Sequence, residues 1–311
     1  MGCTTGAKIL PDIIDEIAAA LIASSGGNWT NADATWTTTT KTGNLARRAL
    51  KYTNGAEVIY LALECINTQI NTYYYSNNGW WAYSKGLRIT FSASWDSVGH
   101  LYGATDYFSF IAFESYYYGA SNTVDMATLQ VTYYLWVDAS GFVIMAKPEP
   151  SGNNEQGSFL AVVERNPNKE YTDGFSNFYG YFQCNTENGN QNGGWQMRHV
   201  VRPFTYVSQD YNQQSWTGID LVGIVFPLCP YLAYKSTGNG KVYYVKPIIC
   251  NARDERAPIF QAELFFAFDE GVGLVDGDVI AIEGQTMKYL CKALDSPDNT
   301  QRLTFALKYV A

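Results

Sequence analysis

Paired carboxylates are the first chemistry this sequence offers. Asp96, Asp106, Glu114, Glu164, Asp210 and Asp220 all sit among aromatic residues, and a glycosidase needs two such groups flanking a scissile bond. The 29 acidic residues of the chain make combinations of this kind common in any β-rich fold, where their ordinary place is a solvated turn or strand edge. His100 follows Trp95-Asp96-Ser97-Val98-Gly99, and Asp96 could orient its imidazole as a general base. No nucleophile is indicated beside it, and a histidine in a Gly-flanked turn is more often a surface or packing residue. His199, next to Arg198 and Arg202, is no better supported. Asp269-Glu270 and Asp276-Gly277-Asp278 have the composition of calcium ligands without the alternate spacing of an EF-hand loop; Asp278 is expected to cap or turn the chain. The GxGxxG fingerprint, the Walker-type loop, HExxH and GxSxG are all absent. No catalytic, cofactor-binding or metal-binding residue is therefore assigned, and no cofactor is expected.

Cysteines and aromatics carry the remaining chemistry. The six cysteines are Cys3, Cys65, Cys184, Cys229, Cys250 and Cys291. None are at zinc-ribbon spacing, and only His100 and His199 could add imidazole ligands. Free or buried thiols are expected. The clusters Tyr73-Tyr74-Tyr75, Trp80-Trp81 with Tyr83, and Tyr116-Tyr117-Tyr118 could stack on sugars, pack between sheets or fill subunit interfaces. Neighbouring residues on a strand point to opposite faces, so no triplet forms one flat platform on a straight strand. Trp29, Trp36, Tyr74, Trp80, Trp81 and Tyr117 are the candidate subunit or glycan contacts.

Composition narrows the partners. Charged residues make up 16% of the chain and aromatics 15%, against about 25% charged in ordinary globular chains. The surface must then be largely amide, hydroxyl and tyrosine, which suits an assembly subunit or a glycan binder. The net charge of -8, and a longest basic cluster of only Arg47-Arg48 with Lys51, argue against a nucleic-acid partner. The apolar stretch from Pro11 to Ser25 is interrupted by Asp12, Asp15 and Glu16 and falls short of the roughly 20 residues of a membrane span. No signal-peptide pattern is present, and no membrane partner is expected.

The elements that must position these residues are mostly strands. One helix is predicted from Pro11 to Ala23, with Pro11 in its first turn, acids near its positive end and an apolar face of Ile13, Ile14, Ile17, Leu21 and Ile22. It is expected to pack on its own chain or on a neighbouring subunit. Residues 28–55 read as a polar, Thr-rich arm or edge strand. Strand patterns follow at Glu57–Cys65, Leu87–Trp95, Phe108–Phe113, Val131–Val137, Gly141–Ala146, Ser158–Glu164 and Phe175–Cys184, with Asp138–Gly141 as a tight hairpin turn. Met197–Thr217 reads as irregular. Val222–Phe226, Lys241–Ile249, Gln261–Phe268, a hairpin around Glu283-Gly284-Gln285, and Leu303–Val310 complete the pattern. The expected organisation is a helix over 1–27, an arm or edge strand over 28–55, a β-rich body over 56–205 and a second β-rich part over 206–311, either separate from the first or one continuous domain with it. The expected fold is mainly β: an antiparallel sandwich or barrel-like body with an N-terminal amphipathic helix.

Three stretches together resemble structural proteins of tailed bacteriophages, in particular neck, tail or baseplate components of contractile-tail phages. They are PDIIDEIAAALIASSGGNWT followed by LKYTNGAEVIYLALE; GLRITFSASWDS with YYLWVDASGFVIMAKPEP and GSFLAVVER; and DGDVIAIEGQTMKYLCKALDSPDNTQRLTFALKYV. The resemblance implies a non-enzymatic virion subunit, assembled in the host bacterial cytoplasm. Its partners would be copies of itself and other virion proteins in a symmetric array. A glycan- or receptor-binding module is the alternative, and a polysaccharide-degrading enzyme the third reading.

Overall fold

The computed structural model describes residues 3–37, 44–75, 80–102, 107–116, 125–148, 158–168, 177–186, 195–201, 222–225, 233–235, 242–244, 248–251, 258–261, 263–268, 273–295 and 302–309. In chain order, β1 (Cys3–Ile9) runs directly into α1 (Leu10–Ser24), followed by β2 (Trp29–Asp33), β3 (Asn44–Asn54), β4 (Glu57–Tyr75) and β5 (Trp80–Ser92). A short pair, β6 (Trp95–Asp96) and β7 (Leu101–Tyr102), precedes β8 (Tyr107–Tyr116). Next come β9 (Gln130–Asp138), β10 (Gly141–Pro148), β11 (Phe159–Arg165), β12 (Phe178–Thr186) and β13 (Trp195–Val201). The short strands β14 (Val222–Val225), β15 (Ala233–Lys235), β16 (Val242–Tyr244), β17 (Ile248–Asn251) and β18 (Pro258–Gln261) lead to β19 (Phe265–Phe268), β20 (Val279–Ala281), β21 (Lys288–Asp295) and β22 (Arg302–Tyr309).

Three sheets stack face to face. The six-stranded sheet β1-β9-β10-β11-β12-β13 lies in the middle. One of its faces meets the five-stranded sheet β2-β3-β4-β5-β8 across a core that includes Leu135, Phe142, Ile144, Phe159, Leu61, Leu63 and Ile89. Its other face carries Trp136, Val143, Leu160 and Tyr179 against Leu264, Phe265, Phe305 and Leu307 of the C-terminal sheet β19-β22-β21-β20. Burial on both faces removes the usual alternation. The strands of the middle sheet therefore read as unbroken apolar runs, YYLWV, FVIMA and FLAVV. Every pairing in the three sheets is antiparallel. The expected sandwich is the fold, and it is extended by a third layer.

The helix fills the gap at one side of this sandwich. Pro11 sits in its first turn and Asp12 beside its positive end. Leu10, Ile13, Ile14, Ile17, Ala18 and Leu21 are buried, and α1 packs against β3, β4 and β9. Five large aliphatic side chains at about 2 kcal/mol each anchor it. At its end the Ser25 hydroxyl donates to the Ile22 carbonyl and accepts the Trp29 N–H at 2.9 Å, which ties the helix to β2. At the opposite side β8 lies against β12. A polar clamp also joins the two sheets: Glu57 accepts Arg165 Nε at 2.9 Å, the Asn177 backbone N–H at 2.9 Å and the Asn177 side chain at 3.1 Å.

Several boundaries differ from the sequence reading. The segment expected as an arm or edge strand divides: β2 is the edge, and β3 lies one place further in, between β2 and β4. The strand expected over Leu87–Trp95 ends at Ser92, whose hydroxyl bonds the backbone of Ser94 and turns the chain before β6. Gln261–Phe268 is split between β18 and β19, which belong to different sheets. The region expected to be irregular begins with β13, which pairs in register with β12. β1 was not foreseen.

Candidate functional site

A buried polar cluster lies on the outer face of the five-stranded sheet. Leu50, Tyr52, Leu61, Leu63, Leu87 and Ile89 face the core, so the residues between them face away. Arg47 stands opposite Glu64 on the β3–β4 ladder, and Glu64 opposite Arg88 on the β4–β5 ladder. Arg88 Nε approaches Glu64 Oε2 at 3.3 Å. Beside this row, Ala49 and Ala62 are small enough to receive the Trp36 ring, which in turn meets Trp95 edge-on with centroids 4.8 Å apart. The ladder slips between Asn31 and Asp33 and again between Asn44 and Arg47. Irregularities of this kind re-aim side chains at a sheet margin.

Asp33 organises the margin. One carboxylate oxygen accepts the Thr35 backbone N–H (3.1 Å), the Thr35 hydroxyl (2.9 Å) and the Trp36 N–H (3.0 Å). The other accepts Trp95 Nε1 at 3.2 Å and pairs with His100 Nδ1 at 2.6 Å. Burial pushes this carboxyl up, but the donors from His100, Thr35 and Trp95 together outweigh it and leave the group below its ordinary range. His100 holds its position at φ 55°, a left-handed conformation found at no other non-glycine residue among those described. Strain of this sort persists only where surrounding contacts fix it. Asp96 builds the turn beneath it: its carboxylate accepts the Val98 N–H at 2.9 Å. That backbone bond, followed by one from Gly99, draws its carboxyl below the usual value.

This corrects the sequence expectation on one point. The carboxylate that orients His100 is Asp33, 67 residues away, while Asp96 serves the turn. A carboxylate-held imidazole is the beginning of a general base. Among the described residues, no hydroxyl or thiol hydrogen-bonds to His100.

Arg47 is the other unusual group. It is 0% exposed, and among the described residues its Nε, Nη1 and Nη2 have no hydrogen-bond acceptor. The guanidinium lies 6.0 Å from the Trp36 ring centroid. Burial draws its pKa down, offset in part by Glu64, yet a guanidinium remains a cation under any ordinary condition.

The other candidates are scattered. Trp29 is 0% exposed and packs edge-on against Tyr52 and Phe178 in the main core; Trp36 is 2% exposed. Neither ring presents a surface to a subunit or a sugar in this structure, because the chain's own core covers both. Tyr74, Trp80 and Trp81 lie on β4 and β5, where Tyr73 pairs with Trp81 and Tyr75 with Trp80. Tyr117, Asp106, Asp210 and Asp220 lie outside the described residues, as do Cys229 and Asp269-Glu270. Cys184 and Cys250 fall on β12 and β17, Glu114 on β8 and His199 on β13.

Glu164 is buried between the middle and C-terminal sheets, where it accepts the Tyr179 hydroxyl and the Glu263 backbone N–H at 3.1 Å. It therefore shares no cleft with Asp96, which lies at the margin of a different layer. Asp278 accepts the Val275 N–H, and Asp276 accepts the Ala293 N–H and pairs with Lys292, so both carboxylates brace their own hairpin. Cys3, Cys65 and Cys291 are free thiols. No helix among the described residues is long and apolar enough to cross a membrane. No protein-family model, no curated protein and no solved structure matches the chain.

Proposed function

We propose that this chain is a non-enzymatic structural subunit of a tailed-bacteriophage particle, built into its neck, tail or baseplate beside copies of itself. The observation that carries the assembly role is β1. This strand forms one edge of the middle sheet, pairs among the described residues only with β9, and leaves five of its seven residues exposed. A strand that buries so little of itself is held by its backbone ladder, and its other side presents N–H and C=O groups that no described strand pairs. Edges of that kind accept a strand from a neighbour. The low charge of the surface and the stiffness of three stacked sheets suit a repeated building block. The phage assignment itself rests on the three resembling sequence stretches.

A second reading is a glycan- or receptor-binding module. The pairing of Tyr73 with Trp81 and of Tyr75 with Trp80 favours it, since four aromatic residues occupy adjoining rungs of one ladder. Cryo-electron microscopy of intact particles tests both. The expected result is a symmetric ring with the β1 edge of each copy against a neighbour. A position at the tail tip, with the β4–β5 aromatics outermost, would favour the second reading. Particles lacking the chain would refute the first.

A further inference from the structure

The joint between the middle and C-terminal sheets is the smaller of the two. Its buried side chains on the C-terminal side are Leu264, Phe265, Phe305 and Leu307, whereas the opposite joint also gathers the helix. Glu164 sits inside the smaller joint and is 1% exposed. The Tyr179 hydroxyl of β12 donates to its carboxylate, as does the Glu263 backbone N–H just ahead of β19, at 3.1 Å. Both donors are neutral. Two charges face it: the Glu263 carboxylate, which opposes ionisation, and the Lys308 ammonium of β22, which favours it. Lys308 is already paired with Asp138 of β9 at 2.8 Å. Two further hydroxyls line the joint, Tyr289 of β21 donating to the Glu263 carbonyl at 2.9 Å and Tyr134 of β9 to the Lys308 carbonyl. Desolvation outweighs the favourable contacts and raises the Glu164 carboxyl from 4.5 to about 7. An acid so placed resists ionising where it is and ionises freely once water reaches it.

We propose that Glu164 is a proton-operated latch on the C-terminal sheet: protonated, it lets that sheet close on the middle one, and ionised, it favours release of the sheet while the helix-braced sandwich stays folded. Release uncovers Trp136, Val143 and Leu160 on the middle sheet and returns the carboxyl to water. A carboxyl raised in the closed state favours closure fully below 4.5, and that preference is lost as pH rises to about 7. The opening constant should therefore climb about seventy-fold between pH 5 and 8, most of it below pH 7. The smaller joint is the one to part, because regions with less buried apolar contact open at lower cost than the whole molecule.

Thiol labelling of the full chain tests this. Val143→Cys places a probe in the smaller joint, and Val163→Cys places one on the other face of the same sheet. Labelling by a pyridyl disulfide is followed peptide by peptide. Each rate, divided by that of a free cysteine peptide at the same pH, gives an opening constant for the site. At pH 8 the Val143→Cys site should open about tenfold or more above that variant's own unfolding constant from urea titration, whereas the Val163→Cys site should match unfolding. From pH 5 to 8 the Val143→Cys opening constant should rise about seventy-fold, and adding Glu164→Gln should remove the rise. Opening constants equal to unfolding at both sites mean that the layers part only when the whole molecule unfolds, and overturn the proposal. A Val143→Cys site that opens no more at pH 8 than at pH 5, or a rise that survives Glu164→Gln, overturns it equally. Should Val143→Cys not fold, hydrogen exchange of the wild-type Glu263 amide, whose acceptor is Glu164 itself, is compared with wild-type unfolding and judged by the same outcomes.

Discussion

Replacing Glu164 with Gln should make the protein markedly more stable near neutral pH. Desolvation between two sheets raises this carboxyl from 4.5 to about 7, against the opposing hydrogen bonds from Tyr179 and the Glu263 N–H. A carboxyl raised in the folded state holds its proton where the unfolded chain has already released it. Its contribution to stability is thus fully present below pH 4.5 and is lost as pH rises to about 7. At about 1.4 kcal/mol per pH unit the loss is ~3 kcal/mol. Gln keeps the acceptor for Tyr179 and the Glu263 N–H and carries no charge at any pH. Urea unfolding of both proteins at pH 5, 6, 7 and 8 isolates the effect. The carboxyls of Asp33, Glu57 and Asp138 are held below their ordinary values, so their own changes lie at lower pH and cancel in the comparison. The stability gap between variant and wild type should widen by ~2.5 kcal/mol from pH 5 to 8, the rest of the loss falling below pH 5. Parallel curves would refute the account of Glu164 as a buried acid that takes up its proton near neutrality.

Further substitutions report on other parts of the fold. Gly141→Ala should prevent folding or cost more than ~4 kcal/mol: at φ 151° a β-carbon there would run into the Val163 carbonyl oxygen, and soluble yield with denaturant titration reads the loss. Trp29→Ala should cost about 3–5 kcal/mol by emptying the space between Tyr52 and Phe178, measured by the same titration. His100→Gly should be more stable than His100→Ala by ~1 kcal/mol, since both lose the bond to Asp33 but only glycine relieves the positive φ; equal midpoints would count against strain at this residue. Arg165→Met should destabilise by about 3 kcal/mol, because Glu57 would stay half-buried with its charge partner gone, and pairing it with Glu57→Gln should recover part of that loss in a double-mutant cycle.

Much of the architecture could be read from the residues, for reasons that differ by layer. The helix was legible because Pro11, the acids and the isoleucine spacing agree. The middle sheet was legible because two covered faces leave unbroken apolar runs, and the Asp138–Gly141 hairpin because only a short turn separates β9 from β10. β1 was invisible: its composition is that of a loop, and what makes it a strand is a ladder to residues more than a hundred positions away. The site was harder still. Asp-Ala-Thr-Trp at 33–36 has the form of a side-chain-capped turn, which could have pointed to Asp33. Nothing local pairs it with His100. Arg47 sits in a polar, basic stretch that reads as surface, and only the strand register shows it turned under Trp36.

The distance along the chain between β1 and β9 also sets an order of events during synthesis. α1 can dock on β3 and β4 soon after they emerge, but β1 must wait until Gln130–Asp138 has been made. At usual elongation speeds that delay is roughly ten seconds. β1 is therefore zipped into place only after every strand of the five-stranded sheet has been made. Throughout that interval it trails from a docked helix on every nascent copy, where the β9 segment of a chain further along the same message could pair with it first.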